Sequence, residues 1–198
     1  MNLLAIDTST DICCVSLCKD NKLISTYNQR VSFGHTKFLA KFTDDIIKKN
    51  NFSVKSLDYI ILSIGPGSYS GLRAGSSFSK GLSYAIGKPI IPINTIDLIN
   101  SLVANKDNYY VALYSHKDYI YYQEFCNGEA IGEQYCDRIS KLNEYQFYGY
   151  GLEAFPNINS LEVKPSSLNL VNYILKNKDL MKMKNIASIS PIYLEKNN

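Results

Sequence analysis

Read from its N-terminus, the chain opens on short apolar runs separated by polar turns and then changes to helical spacing. The first apolar run ends in the polar cluster Asp7, Thr8, Ser9, Thr10. Ile12 to Cys18 then alternates, and Lys19 to Lys22 offers a turn before Leu23 to Gln29. The pattern predicts three consecutive antiparallel strands. From Thr36 to Lys49 the period becomes 3.6, with Phe38, Leu39, Phe42, Ile46 and Ile47 on one side and Lys37, Lys41, Asp44 and Lys48 on the other. This predicts a first helix. Asp58 to Ile64 is a short apolar run rich in strand formers, followed by a glycine-rich bend from Gly65 to Gly71 and a second helix to about Ile86. Lys88 to Ile93 reads as another buried strand and Thr95 to Val103 as a third helix.

Strand, strand, strand, helix, strand, helix, strand, helix is the order of a mixed sheet that begins as a meander and continues through helical crossovers. That order is the topology of the ribonuclease H-like, actin-type ATPase lobe. Beyond the polar linker Asn105 to Asn108, Tyr109 to Ser115 and Tyr119 to Cys126 predict a hairpin. Further along, Gln146 to Tyr150 reads as a strand, Ser167 to Lys176 as a helix and Ile189 to Leu194 as an extended tail. The expectation is an α/β protein with a complete first lobe, residues 1–104, and a reduced second lobe, residues 105–198.

Composition narrows the function classes. A hydrophobic content of 45% supports a packed core and argues against disorder. The net charge of +3 rests almost wholly on lysine, Arg30, Arg73 and Arg138 being the arginines. Phosphate and base recognition lean on arginine forks, so a stand-alone nucleic-acid reader is disfavoured. The lysines at 176, 178, 182 and 184 read as a solvated face rather than an RNA contact. The 5 cysteines include no Cys-x-x-Cys pair, and Cys13 and Cys14 are neighbours that point to opposite faces of a strand. Neither a disulfide framework nor a zinc site is indicated. The opening run is too short for a signal peptide and no apolar stretch is long enough to span a membrane, so the chain is expected in the cytoplasm with reduced thiols.

Two turns are candidates for phosphate chemistry. Asp7, Thr8, Ser9 and Thr10 lie between two predicted strands, where actin-type ATPases present amides and hydroxyls to phosphate; any hairpin also needs such polar residues. Gly65, Pro66, Gly67, Ser68, Tyr69, Ser70, Gly71, Leu72, Arg73 joins a strand to a helix start, which favours an anion. It matches neither the dinucleotide fingerprint nor a Walker loop, and the bland alternative is a bend that lets the helix pack closely. Ser77 to Lys80 matches Ser-x-x-Lys, yet the Ser-Asp-Asn and Lys-Thr-Gly companions are missing. The 2 histidines, His35 and His116, stand far apart and each lacks a partner four residues on, which excludes a His-x-x-x-His metal helix. The tyrosines at 109, 110, 119, 121 and 122 read as cross-strand packing rather than base stacking.

The segment from Gly65 to Arg73, continued by Gly75, Lys80, Gly81 and Leu82, resembles the signature G-P-G-S-F-T-G-L-R-x-G of the TsaB (YeaZ) family, with Tyr69 for phenylalanine and Ser70 for threonine. Leu4 to Ser9 is similar to that family's first strand, and Gly34, His35, Thr36 to the start of its first helix. Weaker similarity continues at Tyr148 to Gly151 and at Pro191 to Leu194. The resemblance implies a protein without catalytic residues that pairs with a TsaD-like transferase. It would support threonylcarbamoyl transfer to the adenosine just 3′ of the anticodon in tRNAs reading codons that begin with A. It further implies a TsaE-like ATPase in the complex, contact with tRNA only through that complex, no metal, and ATP or ADP only in the assembly. Whether the chain pairs with itself when alone stays open. Where relatives carry Ala-Ile-Asp-Ala-Arg, this chain has Ala112, Leu113, Tyr114, Ser115, His116, and where relatives end Tyr-Leu-Arg it has Glu195. The rival from another class is a small actin-type ATPase or phosphotransferase acting alone.

At 100° per residue, the second helix turns Gly71, Ala74, Phe78, Leu82 and Ala85 to one side and Arg73, Ser76, Ser77, Lys80 and Tyr84 to the other. The apolar arc of the first helix, Phe38 and Phe42 included, is about 180° wide, more than the roughly 100° that packing on a sheet requires. The resemblance implies that these two helices pair with those of the partner, so Phe38, Phe42, Ser76, Ser77, Lys80 and Tyr84 are the expected partner surface, the bland alternative being an ordinary solvated face.

Overall fold

The computed structural model describes residues 1–31, 34–182 and 189–195. Strands β1 (Leu3–Asp7), β2 (Ile12–Lys19) and β3 (Lys22–Arg30) form the antiparallel meander, and β4 (Tyr59–Gly65) and β5 (Ile90–Asn94) add in parallel on the other side of β1. The sheet order is β3-β2-β1-β4-β5. Parallel neighbours need crossovers, supplied by α1 (His35–Lys49) before β4 and α2 (Tyr69–Ile86) before β5. These two helices cover one face, where Leu39, Phe42 and Ile46 meet Leu4, Ile6, Val15, Leu17, Ile60 and Leu62. This is the actin-like ATPase lobe that the element order predicts.

The second sheet, β6 (Asn108–His116), β7 (Tyr119–Cys126), β8 (Glu129–Arg138), β9 (Gln146–Tyr150) and β10 (Ser160–Glu162), has the order β10-β9-β6-β7-β8. It repeats the first: the earliest strand lies centrally, two antiparallel strands follow on one side and two parallel strands on the other. Where the first lobe has α1 and α2, the second has only 3-10 turns at Ile139–Lys141 and Leu152–Ala154. Strands β8 and β10 escape a reading by alternation. Most of β8 is exposed and it holds Gly132, and β10 spans 3 residues. Tyr109 and Tyr110 are buried, Tyr109 packing on Phe125 and Tyr148, as cross-strand spacing predicts.

Every residue of β1 is buried, as befits a central strand with both faces covered. The second face is closed by α4 (Ser167–Lys176), whose Leu170, Val171 and Ile174 join Leu3, Ala5, Ile61, Ile91 and Ile93. Although α4 falls within residues 105–198 in sequence, its apolar side thus belongs to the first sheet. The tail returns there too, with Ile189 buried in the α1 side of that core. Conversely α3 (Thr95–Asn100), which ends three residues short of the predicted Val103, places Ile96 and Ile99 against Tyr109 and Val111 of the second sheet. Leu98 of the same helix joins the first-sheet cluster, so α3 packs on both sheets. Among the described residues no helix is long and apolar enough to cross a membrane.

Because α4 supplies Leu170, Val171 and Ile174 to this face, Leu170→Ala, which removes a fully buried side chain, is expected to destabilise the protein by about 2–5 kcal/mol in urea unfolding. Leu161→Ala, at a side chain 54% exposed, should stay within about 0.5 kcal/mol of wild type.

Candidate functional site

The turn after β1 and the start of α2 are built against each other. The hydroxyl of Thr8 donates to the Gly71 carbonyl at 2.8 Å, and the Ser68 N–H donates to the Ser9 carbonyl at 2.7 Å. A Cβ at Gly67 would collide with the Ser9 carbonyl, one at Gly71 with the Thr8 carbonyl, and one at Gly75 with the Thr8 hydroxyl. Only glycine permits this approach, so the glycines of the loop are explained by packing. The Ser68 hydroxyl caps α2 by accepting from the Gly71 N–H.

Asp7 lies beneath this contact, 2% exposed. The Ser9 N–H and hydroxyl both donate to its Oδ1 at 2.8 Å, while Oδ2 is buried without a hydrogen-bond partner among the described residues. Burial pushes the carboxyl above its usual range, and the two Ser9 donors only partly offset that. In an actin-type site this carboxylate would face a metal and the Ser9 amide would face phosphate. Here the amide is spent on Asp7, and the chain's own loop occupies the far side of the turn.

Between the lobes runs a cleft of about 680 Å³, which Ser9, Thr10, Tyr69 and Ser70 line from the first lobe and Tyr114 and Ser115 from the second. One end is tied shut. Arg30 at the end of β3 pairs with Asp11 at 2.8 Å and donates to the Tyr150 hydroxyl at 2.8 Å, and that hydroxyl donates to Asp11 at 2.8 Å. A second tie runs from Asn94 to Gln134 and on to Gln123. Sequence places Tyr150 in a weakly family-like segment but does not join it to Asp11 and Arg30, since a charged pair and a tyrosine 120 residues away share no local pattern. The signal available was the segment Tyr148 to Gly151. There Gly149, opposite Ala112 in the β6–β9 register, has no room for a Cβ, and Gly151 takes a φ of +78° to begin the next turn.

On the outside of the first lobe, α1 and α2 lie side by side and leave a groove of about 400 Å³ floored by Leu39, Ala74 and Phe78 and edged by Thr36, Arg73 and Ser77. Of the six residues expected at a partner surface, Ser77 and Tyr84 are exposed, Tyr84 by 91%, and Phe38 and Lys80 are half-buried. Two expectations are corrected. Ser76 is 6% exposed and Phe42 5% exposed, so both are interior. The reason for Ser76 is that α2 turns its small residues, Gly75, Ser76, Ser79 and Ser83, inward with Leu72, which brings the helix close to the sheet, and leaves Phe78 half-buried beside α1. For Phe42 the surplus apolar arc of α1 is met within the chain, by the Tyr27 ring of β3 stacked at 5.4 Å.

Among the described residues no group of three or more His, Cys, Asp or Glu side chains is placed to hold a metal. His35 is buried at the start of α1, and burial lowers its pKa, while His116 stacks on Tyr119 at 5.1 Å. Burial pushes the Cys13 and Cys14 thiols up to about 12, which makes them poor nucleophiles. At the departures noted above, Tyr114 is 41% exposed and packs on Phe155, and Glu195 is exposed.

The family model TsaD, tRNA N6-adenosine threonylcarbamoyltransferase, matches residues 25–181. The chain is 24% identical to the tRNA threonylcarbamoyladenosine biosynthesis protein TsaB of Haemophilus influenzae, over 98% of this chain and 93% of that one. It is 26% identical to TsaB of Buchnera aphidicola subsp. Baizongia pistaciae, over 97% of each. Among solved structures it is similar to YeaZ from Pseudomonas aeruginosa, with a TM-score of 0.80, 16% identity and coverage of 98% of this chain and 100% of that one, which shows the shared fold. The chain therefore belongs to the family that the TsaD model describes, within its TsaB (YeaZ) branch.

Proposed function

We propose that this chain is the non-catalytic partner of a TsaD-like transferase in making threonylcarbamoyladenosine in tRNA. The observation that carries the reading is the pairing of a closed phosphate turn with an open helix face. Asp7 is buried and its turn is covered by the chain's own glycine loop, whereas no element among the described residues fills the α1–α2 groove. A chain that matches the TsaD model presents to a TsaD-like subunit helices of its own kind, so the two lobes meet in near two-fold fashion, α1 and α2 against their counterparts. A TsaE-like ATPase joins the pair, ATP or ADP binds only in that assembly, and tRNA is reached through the complex in the cytoplasm.

Three outcomes are expected. The purified chain does not hydrolyse ATP; phosphate release that disappears in Asp7→Asn would favour a self-sufficient ATPase. Depletion of the protein lowers threonylcarbamoyladenosine in total tRNA, read by nucleoside chromatography, and an unchanged level would refute the assignment. Ser77→Arg, on the exposed edge of the groove, keeps thermal stability within about 0.5 kcal/mol yet weakens titration against the TsaD-like subunit by about 2 kcal/mol or more. Ser76→Arg behaves differently: forcing a long cation into a buried position costs the monomer itself about 1–3 kcal/mol.

A further inference from the structure

The described part of the tail returns to the first lobe and meets it at the junction of β4 and α2. Ile189 is anchored in the core, and the Ile192 N–H donates to the Ile64 carbonyl at the C-terminal end of β4 at 2.8 Å. A Cβ at Gly65 would lie 3.0 Å from the Ile192 carbonyl, and Gly65 has a φ of +102°, so the strap crosses where glycine alone lets it lie flat. The next residue, Tyr193, sets its ring 5.0 Å from that of Tyr69 in the first turn of α2. The guanidinium of Arg73, one turn on, sits 4.1 Å from the Tyr69 ring centre.

Arg73, Tyr69 and Tyr193 thus form an ordered stack, yet Tyr69 is 55% and Tyr193 47% exposed. Stacking of exposed aromatic rings on a cation contributes little to a monomer, about 0.5–1 kcal/mol. The stack is also continuous with the α1–α2 groove, because Arg73 edges both. Tyrosine and arginine are the residue types that concentrate binding energy, and side chains already ordered before contact lose little entropy on docking.

We propose that the C-terminal strap is the third element of the docking face: Tyr193 holds Tyr69 and Arg73 in place, and the three side chains together meet the TsaD-like subunit at the N-terminal end of α2. This inference rests on the α1–α2 docking reading. The occupant is that subunit because Arg73 belongs both to these side chains and to the edge of the groove assigned to it. A role for the strap in folding alone would predict a stability loss; a docking role predicts an affinity loss at constant stability.

The test is titration of the full chain against the TsaD-like subunit of the same organism, with Ser77→Arg as the reference for the groove. Tyr193→Ala should bind at least 10-fold more weakly while its thermal midpoint stays within about 2 °C of wild type, and Tyr193→Phe, which keeps the ring, should bind normally. Hydrogen exchange at the Ile192 amide should slow when the complex forms. Normal binding by Tyr193→Ala beside impaired Ser77→Arg overturns the strap proposal and leaves the groove reading standing. Normal binding by both variants overturns the groove reading and the strap proposal with it. If Tyr193→Ala lowers the midpoint by more than that margin, Tyr69→Ala decides: undiminished affinity there overturns the proposal, and a comparable loss without destabilisation sustains it.

Discussion

The structure depends on one contact, the seating of the α2 N-terminus on the β1–β2 turn. Three glycines, at 67, 71 and 75, bring helix backbone against the carbonyls of Thr8 and Ser9 and the Thr8 hydroxyl. From it follow the depth of Asp7, the tilt that turns the serine side of α2 inward, and the outward placement of Arg73, Ser77 and Tyr84. A phosphate site needs an open turn with unspent amides. Here the Ser9 amide is spent on Asp7, and the Thr8 hydroxyl and the Ser9 carbonyl hold the start of α2.

The second constraint is economy in the second lobe. Its sheet repeats the first strand for strand but lacks two crossover helices, and short turns carrying Ile139, Leu142, Phe155 and Ile158 cover that face instead. A lobe so reduced gains from sharing. α4 packs on the first sheet and α3 lies between the two, with Leu98 on the first and Ile96 and Ile99 on the second, and the Arg30–Asp11–Tyr150 tie and the Asn94–Gln134 bond link the lobes further. As a surface ion pair Arg30–Asp11 contributes little by itself. Its value lies in joining a β-turn, a strand end and the second lobe through one hydroxyl.

Three buried titratable groups, Asp7, Cys13 and Cys14, lie in the first sheet. The Asp7 carboxyl and the Cys13 and Cys14 thiols are all shifted upward mainly by loss of water, with Asp7 adding a further upward push on the two thiols. None is offset by a cation, and none lines the cleft, whose ionisable lining side chains are Asp11, Arg30, His35, Glu153 and three tyrosines. Where groups shifted in this way serve chemistry they face substrate; here they face the core.

Local pattern determined most of the first lobe. The Ile12 to Cys18 alternation, the 3.6 period of Thr36 to Lys49 and the glycine bend at Gly65 each report a neighbour a few residues away, and that is what periodicity encodes. The same segments carried the family signature, because close backbone approach restricts residue type at fixed spacing. Tertiary structure alone decided the rest. Whether Ser76 faces in or out depends on a helix rotation of a few tens of degrees, set by Thr8 and Leu62 rather than by α2 itself. Whether Phe42 is surplus depends on Tyr27, which is 15 residues earlier and on another strand. The α4 docking on the first sheet, the Arg30–Asp11–Tyr150 tie and the Tyr193–Tyr69–Arg73 stack join residues far apart in the chain. No local spacing records such contacts, since they exist only once the sheet has brought the partners together.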